Sequence, residues 1–245
     1  MKIYIKKLIV CLCSLLSLPV VAEETIHFDY IDTKGYEVFC VFRDTDGIVW
    51  LGTSNGLTTY AQLEGGFPFS YVRHPRLNDI IKRIDQDNLG RLWLETQSLD
   101  VLIYDSHTNQ LISTVDQYLR TFGIYVSDRF SHKSDVQGRV WIGENNKVYL
   151  RDFKKGKTTL YPLPASYGNV QEIEVNEQEA LVATNKCIFS IPFSGGKPRI
   201  VAPIPLDPTF SNLFFGRDGR QNLFLATPCS ASATTAVCDS GHVCL

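Results

Sequence analysis

Short apolar runs alternate with polar turn segments along most of the chain. Residues 38–42 and 80–84 are two of these runs, and Asp, Gly and Asn residues recur in the segments between them. Runs of this length, rich in β-branched and aromatic residues, predict β-strands, whereas the 3.6-residue period of amphipathic helices is nearly absent. The pattern therefore predicts an all-β fold.

An internal repeat organises these strands. The sequence DTDGIVWLGTSNGLTTY at residues 44–60 recurs in related form at residues 87–104 and 135–150. One position of the repeat is occupied in successive copies, at intervals of 40 to 48 residues, by Trp50, Trp93, Trp141, Leu181 and Phe224. A period in the low forties with four strand patterns per copy is typical of a propeller blade. The sequence therefore predicts a partial β-propeller of about five four-stranded repeat units.

Structural roles account for the two most distinctive repeat positions. The Asp that opens each acidic turn can accept hydrogen bonds from its own backbone, and the Gly three residues later can take a positive φ. We therefore attribute the pairs Asp44/Asp46 and Asp85/Asp87 to turn formation rather than to carboxylate catalysis or calcium binding. An aromatic residue at a fixed position of a β-repeat usually packs between blades, so each Trp is predicted to be a core residue.

Composition divides the chain into three segments. Residues 1–22 combine a lysine-rich start with an apolar run of 11 residues and small residues at the end. This combination predicts a signal peptide, and hence a periplasmic, soluble mature chain. Residues 23–227 form the incomplete propeller. Residues 228–245 leave the repeat pattern and hold three of the five cysteines outside the signal peptide, which predicts a disordered or frameshifted tail.

Residues 44–60 resemble the two-component regulator propeller repeat, whose pattern is D-x-x-G-x-h-W-h-G-T-x-x-G-L-x-x-Y with h apolar. The second copy departs from it with Glu95 in place of the first glycine of G-T, and the third has Glu144 in place of the threonine. The resemblance implies the N-terminal periplasmic sensor region of a hybrid two-component system, truncated within a seven-bladed propeller. It also implies an oligosaccharide ligand and a full-length relative that is membrane-anchored and dimeric, with kinase and DNA-binding parts that this chain lacks.

Composition and motifs argue against several other functions. Lys and Arg are scattered in a chain of formal net charge -2, without the basic stripe that nucleic-acid binding needs. The sequence has no phosphate loop or zinc-protease motif, and Cys40 and Cys187 are isolated in strand patterns and interpreted as core residues. We therefore expect a binding fragment without enzymatic activity, cofactor or metal. The alternatives are a stand-alone periplasmic binding or scaffold module and, third, a propeller lyase or hydrolase.

Ligand contacts are expected on one face of the propeller, around its central channel. Two sets of loops reach this face: those that enter the innermost strand and those that join the second and third strands. Amide, Arg and aromatic side chains suit sugar hydroxyls, which need paired donors and acceptors and a stacking surface. By position alone, the candidate binding residues are Arg73, His74, Arg76, Gln97, Asn145, Asn146, Tyr167 and Asn185.

Overall fold

The chain folds as a series of antiparallel sheets. The computed structural model describes residues 36–60, 69–72, 74–127, 130–203, 214–217, 223–226 and 236–237. All of them belong to one compact unit, Tyr36–Leu245. They form four sheets of four strands and a fifth sheet of three strands, in which each strand pairs with its neighbours in sequence.

Each four-stranded sheet is one blade of the propeller. Blade 1 contains β1 (Val38–Arg43), β2 (Val49–Thr53), β3 (Gly56–Tyr60) and β4 (Phe69–Tyr71). Blade 2 contains β5 (Ile81–Gln86), β6 (Leu92–Thr96), β7 (Val101–Asp105) and β8 (Gln110–Ile112). Blade 3 contains β9 (Ser131–Ser134), β10 (Val140–Glu144), β11 (Lys147–Asp152) and β12 (Lys157–Pro162). Blade 4 contains β13 (Val170–Val175), β14 (Glu179–Thr184), β15 (Cys187–Pro192) and β16 (Arg199–Pro203).

Little other regular structure is present in the described ranges. The fifth sheet consists of β17 (Phe214–Arg217), β18 (Leu223–Ala226) and β19 (Ala236–Val237). A six-residue helix, α1 (Val115–Arg120), follows blade 2 and buries Val115 and Leu119. Single turns of 3-10 helix occur at Pro75–Leu77 and Ala165–Tyr167.

The all-β propeller prediction is confirmed, with a difference in the count of blades. Four repeat units are complete four-stranded blades, and the unit predicted as the fifth has three strands in the described part of the chain. Its strand β19 comes from the segment predicted to be a tail and pairs with β18. The signal peptide prediction, residues 1–22, and the rest of the predicted tail lie outside the described residues.

The repeat tryptophans occupy equivalent buried positions, as predicted. All three lie on the second strand of their blades and are at most 3% exposed. Each pairs, across to the inner strand, with the residue two positions before the turn Asp, namely Phe42, Asp85 and Lys133. In blade 4 the same register joins Leu181 to Glu174.

A hydrogen bond couples the turn Asp to the Trp of the same blade, which the sequence interpretation treated as two separate roles. Asp44 accepts backbone N–H bonds with Oδ1, while its Oδ2 accepts the indole N–H of Trp50 at 2.7 Å. Asp87 and Asp135 make the same indole contact in blades 2 and 3. Blade 4 has neither member of the pair, because Asn176 opens its turn and Leu181 replaces the Trp.

Each Trp also packs against the next blade, which confirms the inter-blade role. Trp50 meets the ring of Tyr104 edge-on, and Trp93 lies 6.1 Å from the ring of Phe153. Trp141 stacks on Phe193 at 5.4 Å. The three apolar cores of the described chain are accordingly the interfaces between blades 1 and 2, 2 and 3, and 3 and 4.

The two cysteines within the described ranges are free thiols. Cys187 is buried in the interface between blades 3 and 4, and Cys40 is partly buried against the interface between blades 1 and 2. Both positions agree with the interpretation of these residues as small core side chains.

Candidate ligand-binding pocket

One arginine connects the inner strands of three blades. The Arg83 guanidinium on β5 lies 2.9 Å from a carboxylate oxygen of Glu95 on β6 and 3.3 Å from one of Glu172 on β13. It also donates to the backbone carbonyl of His132 on β9 at 2.9 Å. The side chain is only 25% exposed, so these contacts form in a setting where charge interactions are weakly screened.

Burial and neighbouring charges set the protonation of this cluster. Burial lowers the pKa of Arg83, but the carboxylates of Glu95 and Glu172 outweigh this effect, and the net shift of the pKa is upward. Burial raises the pKa of Glu172, against the opposing charge of Arg83. It also raises the pKa of Asp85 to about 6, although the charges of Lys133 and Arg83 oppose the shift. The guanidinium therefore remains charged, and Asp85 takes up a proton in mildly acidic solution.

β-Bulges direct the key side chains of the inner strands. The register shifts between Ile81 and Arg83 in β5 and between Val170 and Glu172 in β13. A bulge kinks a strand and changes the direction of the side chains beside it. Because both shifts lie immediately before Arg83 and Glu172, they occur at the end of the strands where these residues meet.

Glu95 fills a repeat position that is glycine in blades 1 and 3. A Cβ atom at Gly52 would lie 2.5 Å from the carbonyl oxygen of Ile81, and one at Gly143 would lie 2.4 Å from Cγ1 of Val170. Blades 1 and 3 therefore leave no room for a side chain at this position. In blade 2 the glutamate side chain is accommodated and forms the ion pair with Arg83.

These residues line a cavity of about 510 Å³ at the loop end of the inner strands. Its ionisable lining residues are Arg83, Glu95, Glu144 and Glu172. Its amides are Asn145, Asn169 and Gln171, and its larger apolar side chains are Leu99, Val101, Phe130 and Val170. A smaller cavity of about 130 Å³ adjoins it through Val101, Ser127 and Phe130. We call the cavity of about 510 Å³ the inner-strand pocket.

Backbone strain is present at the rim of the inner-strand pocket. Leu99 has a φ of 66°, in the left-handed region that non-glycine residues rarely adopt. It occupies the repeat position of Gly56, whose φ is 98°, so the turn between β6 and β7 places a leucine where the first repeat has a glycine.

Two of the candidate residues chosen from sequence line these cavities. Asn145 lines the inner-strand pocket, where its Nδ2 donates to Oε1 of Glu144 at 3.0 Å. Arg76 lines the smaller adjoining cavity together with Asp100 and Asp116. Gln97 is exposed in the turn that follows β6 and lines neither cavity.

The other described candidates contact nearby residues of the protein, and Arg73 lies outside the described residues. His74 accepts the N–H of Arg76 through its Nδ1. The remaining contacts are those of Asn146 Nδ2 with the Leu163 carbonyl, Asn185 Oδ1 with the Asn169 N–H, and the Tyr167 ring edge-on to Phe189. None of these four residues lines the inner-strand pocket.

The central residues of the pocket were not among the sequence candidates. Arg83, Glu95 and Glu172 lie on strands, whereas the candidates were taken from loops. One signal was available: Glu95 is the position where the second copy departs from the glycine of the repeat. A charged residue that replaces a repeat glycine, with an Arg in the preceding strand, marks a local break in an otherwise structural pattern.

A third cavity, of about 740 Å³, opens at the other end of the inner strands, among the acidic turns. Its lining includes Asp44, Asp87 and Asp135. Each of these carboxylates already accepts backbone N–H groups and the indole N–H of its own blade. Because these groups are engaged in holding the turns, the inner-strand pocket offers the better developed site.

Family and curated-protein comparisons bear on the repeat. Residues 34–55 match the two component regulator propeller family. No curated protein matches the chain. Within the described ranges, no helix is both long enough and apolar enough to cross a bilayer.

Solved structures share the fold. The chain is similar to the extracellular domain assigned to the hybrid two component system BT4673 of B. thetaiotaomicron, with 20% identity, a TM-score of 0.52, and coverage of 87% of this chain and 28% of that chain. Another structure of the BT4673 extracellular domain, assigned to a one component system, gives 18% identity, a TM-score of 0.54, and coverage of 90% and 29%. The extracellular domain assigned to the hybrid two component system BT3049 of the same species gives 14% identity, a TM-score of 0.52, and coverage of 87% of this chain and 30% of that chain.

The chain therefore spans less than a third of the length of these solved chains. At identities of 20% or lower the likeness shows the fold, and the family match covers the first repeat. Together they confirm the resemblance: the chain carries a two-component regulator propeller repeat and has the propeller fold found in extracellular domains of two-component systems.

Proposed function

We propose that this chain is the exported, ligand-sensing propeller of a hybrid two-component sensor, and that its inner-strand pocket binds an oligosaccharide. The repeat match and the fold support the sensor class. The observation that carries the binding proposal is the composition of the pocket, where a guanidinium, three carboxylates and three amides from the described strands and loops of three blades come together.

The chemistry of the pocket suits a sugar. Each sugar hydroxyl both donates and accepts a hydrogen bond, so carboxylates and amides together can satisfy it. The pocket also exposes apolar surface from Val101, Phe130 and Val170, against which the C–H face of a sugar ring can pack. Its volume of about 510 Å³ lies within the range of small-molecule sites, which fits a short fragment rather than a polymer.

Signalling then resides in the parts of the longer protein that this chain does not span. In the proposal, ligand binding takes place outside the cytoplasmic membrane, and a kinase on its other side produces the response. The chain itself contributes recognition and no chemical step.

Further blades complete the propeller in this proposal, toward the seven that the family resemblance implies. The supporting observation is the side of blade 1 that faces away from blade 2. Val41 in β1 is 66% exposed, whereas its equivalents Ile84 and Ile173 are at most 5% exposed, because a preceding blade covers them. A closed propeller buries such a surface and removes its edges.

Calorimetric titration of the full chain with a panel of oligosaccharides tests the binding proposal. We expect at least one fragment to bind, and Gln171→Ala to weaken it by about tenfold or more because Gln171 lines the pocket. Gln97→Ala is the matched control, since Gln97 is an exposed glutamine that lines neither the inner-strand pocket nor the smaller cavity beside it. Absence of binding by every fragment, or equal losses in the two variants, would contradict the proposal.

A further inference from the structure

We infer that the inner-strand pocket accepts neutral or cationic glycans and rejects glycans that carry carboxylate or sulfate groups. This inference rests on the proposed function, because it names the ligand class of the same pocket. Three observations carry it: the balance of charges on the pocket wall, the contacts of its arginine, and the position of Glu144.

The wall of the pocket is acidic. Among the lining residues that the structure describes, Glu95, Glu144 and Glu172 are acidic and Arg83 is the single cation. The residues of the inner strands beneath the wall do not reverse this balance. Asp85 and Glu174 lie there with Lys133, which pairs with Glu174 at 3.7 Å. An anionic ligand would therefore enter a site whose fixed charges repel it.

The guanidinium that could attract an anion is already flanked by carboxylates. Its Nη2 lies 2.9 Å from Glu95 and also donates to the backbone carbonyl of His132, and its Nη1 donates to Glu172 at 3.3 Å. Its Nε is buried and lies on the side of Asp85, at 3.9 Å. An arginine that recognises a carboxylate or sulfate does so by presenting two parallel N–H groups. In Arg83 the Nη1 and Nη2 groups already bind the protein's own oxygen atoms.

Glu144 adds a carboxylate whose described hydrogen bonds come from neutral side chains. Its Oε1 accepts from Asn145 Nδ2 and its Oε2 accepts from Ser127 Oγ, both at 3.0 Å. In the described part of the chain no ion pair reaches Glu144, and Lys147, its partner across the hairpin, does not line the pocket. The negative charge is therefore available to repel an anionic ligand or to attract an ammonium group.

Oligosaccharides that differ only in charge test the inference. The full chain is titrated at pH 7.5 and low salt with homogalacturonan oligomers before and after methyl esterification, with chitosan oligomers before and after N-acetylation, and with the panel of the preceding experiment. We expect every bound fragment to be neutral or cationic, with anionic counterparts at least about tenfold weaker and the contrast smaller at high salt.

A charge-neutralising variant locates the effect in the pocket. Glu144→Gln should narrow the affinity gap between an anionic oligomer and its neutral counterpart by about threefold or more. Glu177→Gln changes the net charge equally, at an exposed turn away from the pocket, and should leave the gap unchanged. An anionic oligomer that binds as tightly as its neutral counterpart would overturn the inference while the proposed function stands. Failure of every oligosaccharide to bind would overturn the proposed function and this inference with it.

Discussion

Blade 1 and blade 3 carry the same repeat, but they differ in burial on one side of the inner strand. This side is buried at His132 in blade 3 and exposed at Val41 in blade 1. In blade 3, His132 on the inner strand is fully buried beneath blade 2, with its ring 5.5 Å from that of Trp93. In blade 1, the equivalent Val41 is 66% exposed. The apolar residue is therefore at the surface and the ionisable one in the core, which is the reverse of what side-chain polarity alone predicts.

The contrast shows that burial in this fold is decided between blades rather than within them. Blade 1 matches the repeat pattern at every defined position, and its Trp50 side is as well packed as those of the other blades. In the described part of the chain no blade covers its opposite side, and Val41 there is 66% exposed. In a repeat fold, stability is approximately the sum of the units and the interfaces between them.

Removal of the indole from a covered interface should have the largest effect. Trp141 is fully buried and stacks on Tyr161 and Phe193, so Trp141→Ala should lower the free energy of unfolding by about 3–5 kcal/mol. Trp141→Phe keeps an aromatic ring but removes the N–H donor to Asp135, and should cost less. Urea unfolding of the full chain measures both, and equal losses would show that the hydrogen bond rather than the packing dominates.

A methyl group added between blades should be the next most costly change. In Gly143→Ala the new Cβ lies 2.4 Å from Val170 of blade 4, so overpacking should cost about 1–3 kcal/mol. Gly52→Ala meets the Ile81 carbonyl of blade 2 at 2.5 Å and should be destabilised at least as much. Unchanged unfolding midpoints in both variants would mean that the blades can separate at these positions without loss.

The buried histidine should make the covered interface sensitive to pH. Burial, with help from the charge of Arg83, holds the pKa of His132 well below 6.5, so the folded protein keeps the ring neutral while the unfolded chain protonates it. Stability from this group is thus present above pH 6.5 and is lost as the pH falls, by up to about 1.4 kcal/mol per pH unit.

His132→Ile, which introduces the residue found at this position in blades 2 and 4, should remove that loss. Thermal melts of the two proteins between pH 7.5 and 5 should diverge as the pH falls, with the variant the more stable. His107→Gln is the control, because His107 is 64% exposed and pairs with Asp46 at the surface. Parallel melting curves for wild type and His132→Ile would contradict the assignment.

The smallest effect is expected on the uncovered side of blade 1. Val41→Ala should change the free energy of unfolding by no more than about 0.5 kcal/mol, because the side chain is already in water. The matched change at the covered position, Ile173→Ala, should cost about 2–5 kcal/mol. Comparable losses at the two sites, in urea unfolding of the full chain, would show that a further element covers blade 1.

The repeat could be predicted from the chain because its determinants are local. An Asp that caps its own turn, a strand of alternating burial and a Trp at a fixed distance all act within some 20 residues, as in residues 44–60. The strand order, the blades and the burial of Trp50, Trp93 and Trp141 followed from them. The hydrogen bond from the indole to the turn Asp is also local, since it joins residues six positions apart in three copies of the repeat. The spacing alone did not predict this bond.

The pocket could not be predicted in the same way, because its parts are distant in sequence. Arg83 and Glu172 are separated by 89 residues and meet only because successive blades bring the same repeat position to one region. Loop residues such as Asn146 and Asn185 occupy suitable positions, but their amides are turned to neighbouring backbone groups instead. Hydrogen bonds of that kind depend on loop conformation, which residue type alone does not specify.

The sequence by itself determined the class of fold, the repeat and its buried tryptophans, because these follow from turn chemistry and strand periodicity within each copy. Only the tertiary structure decided which blade sides are covered and which charged residues face one another. Val41 and His132 occupy the same repeat position, and blade 2 covers His132 whereas no blade in the described part of the chain covers Val41. Contacts between blades join residues far apart in the chain, so their free energies depend on the assembled fold rather than on any local pattern.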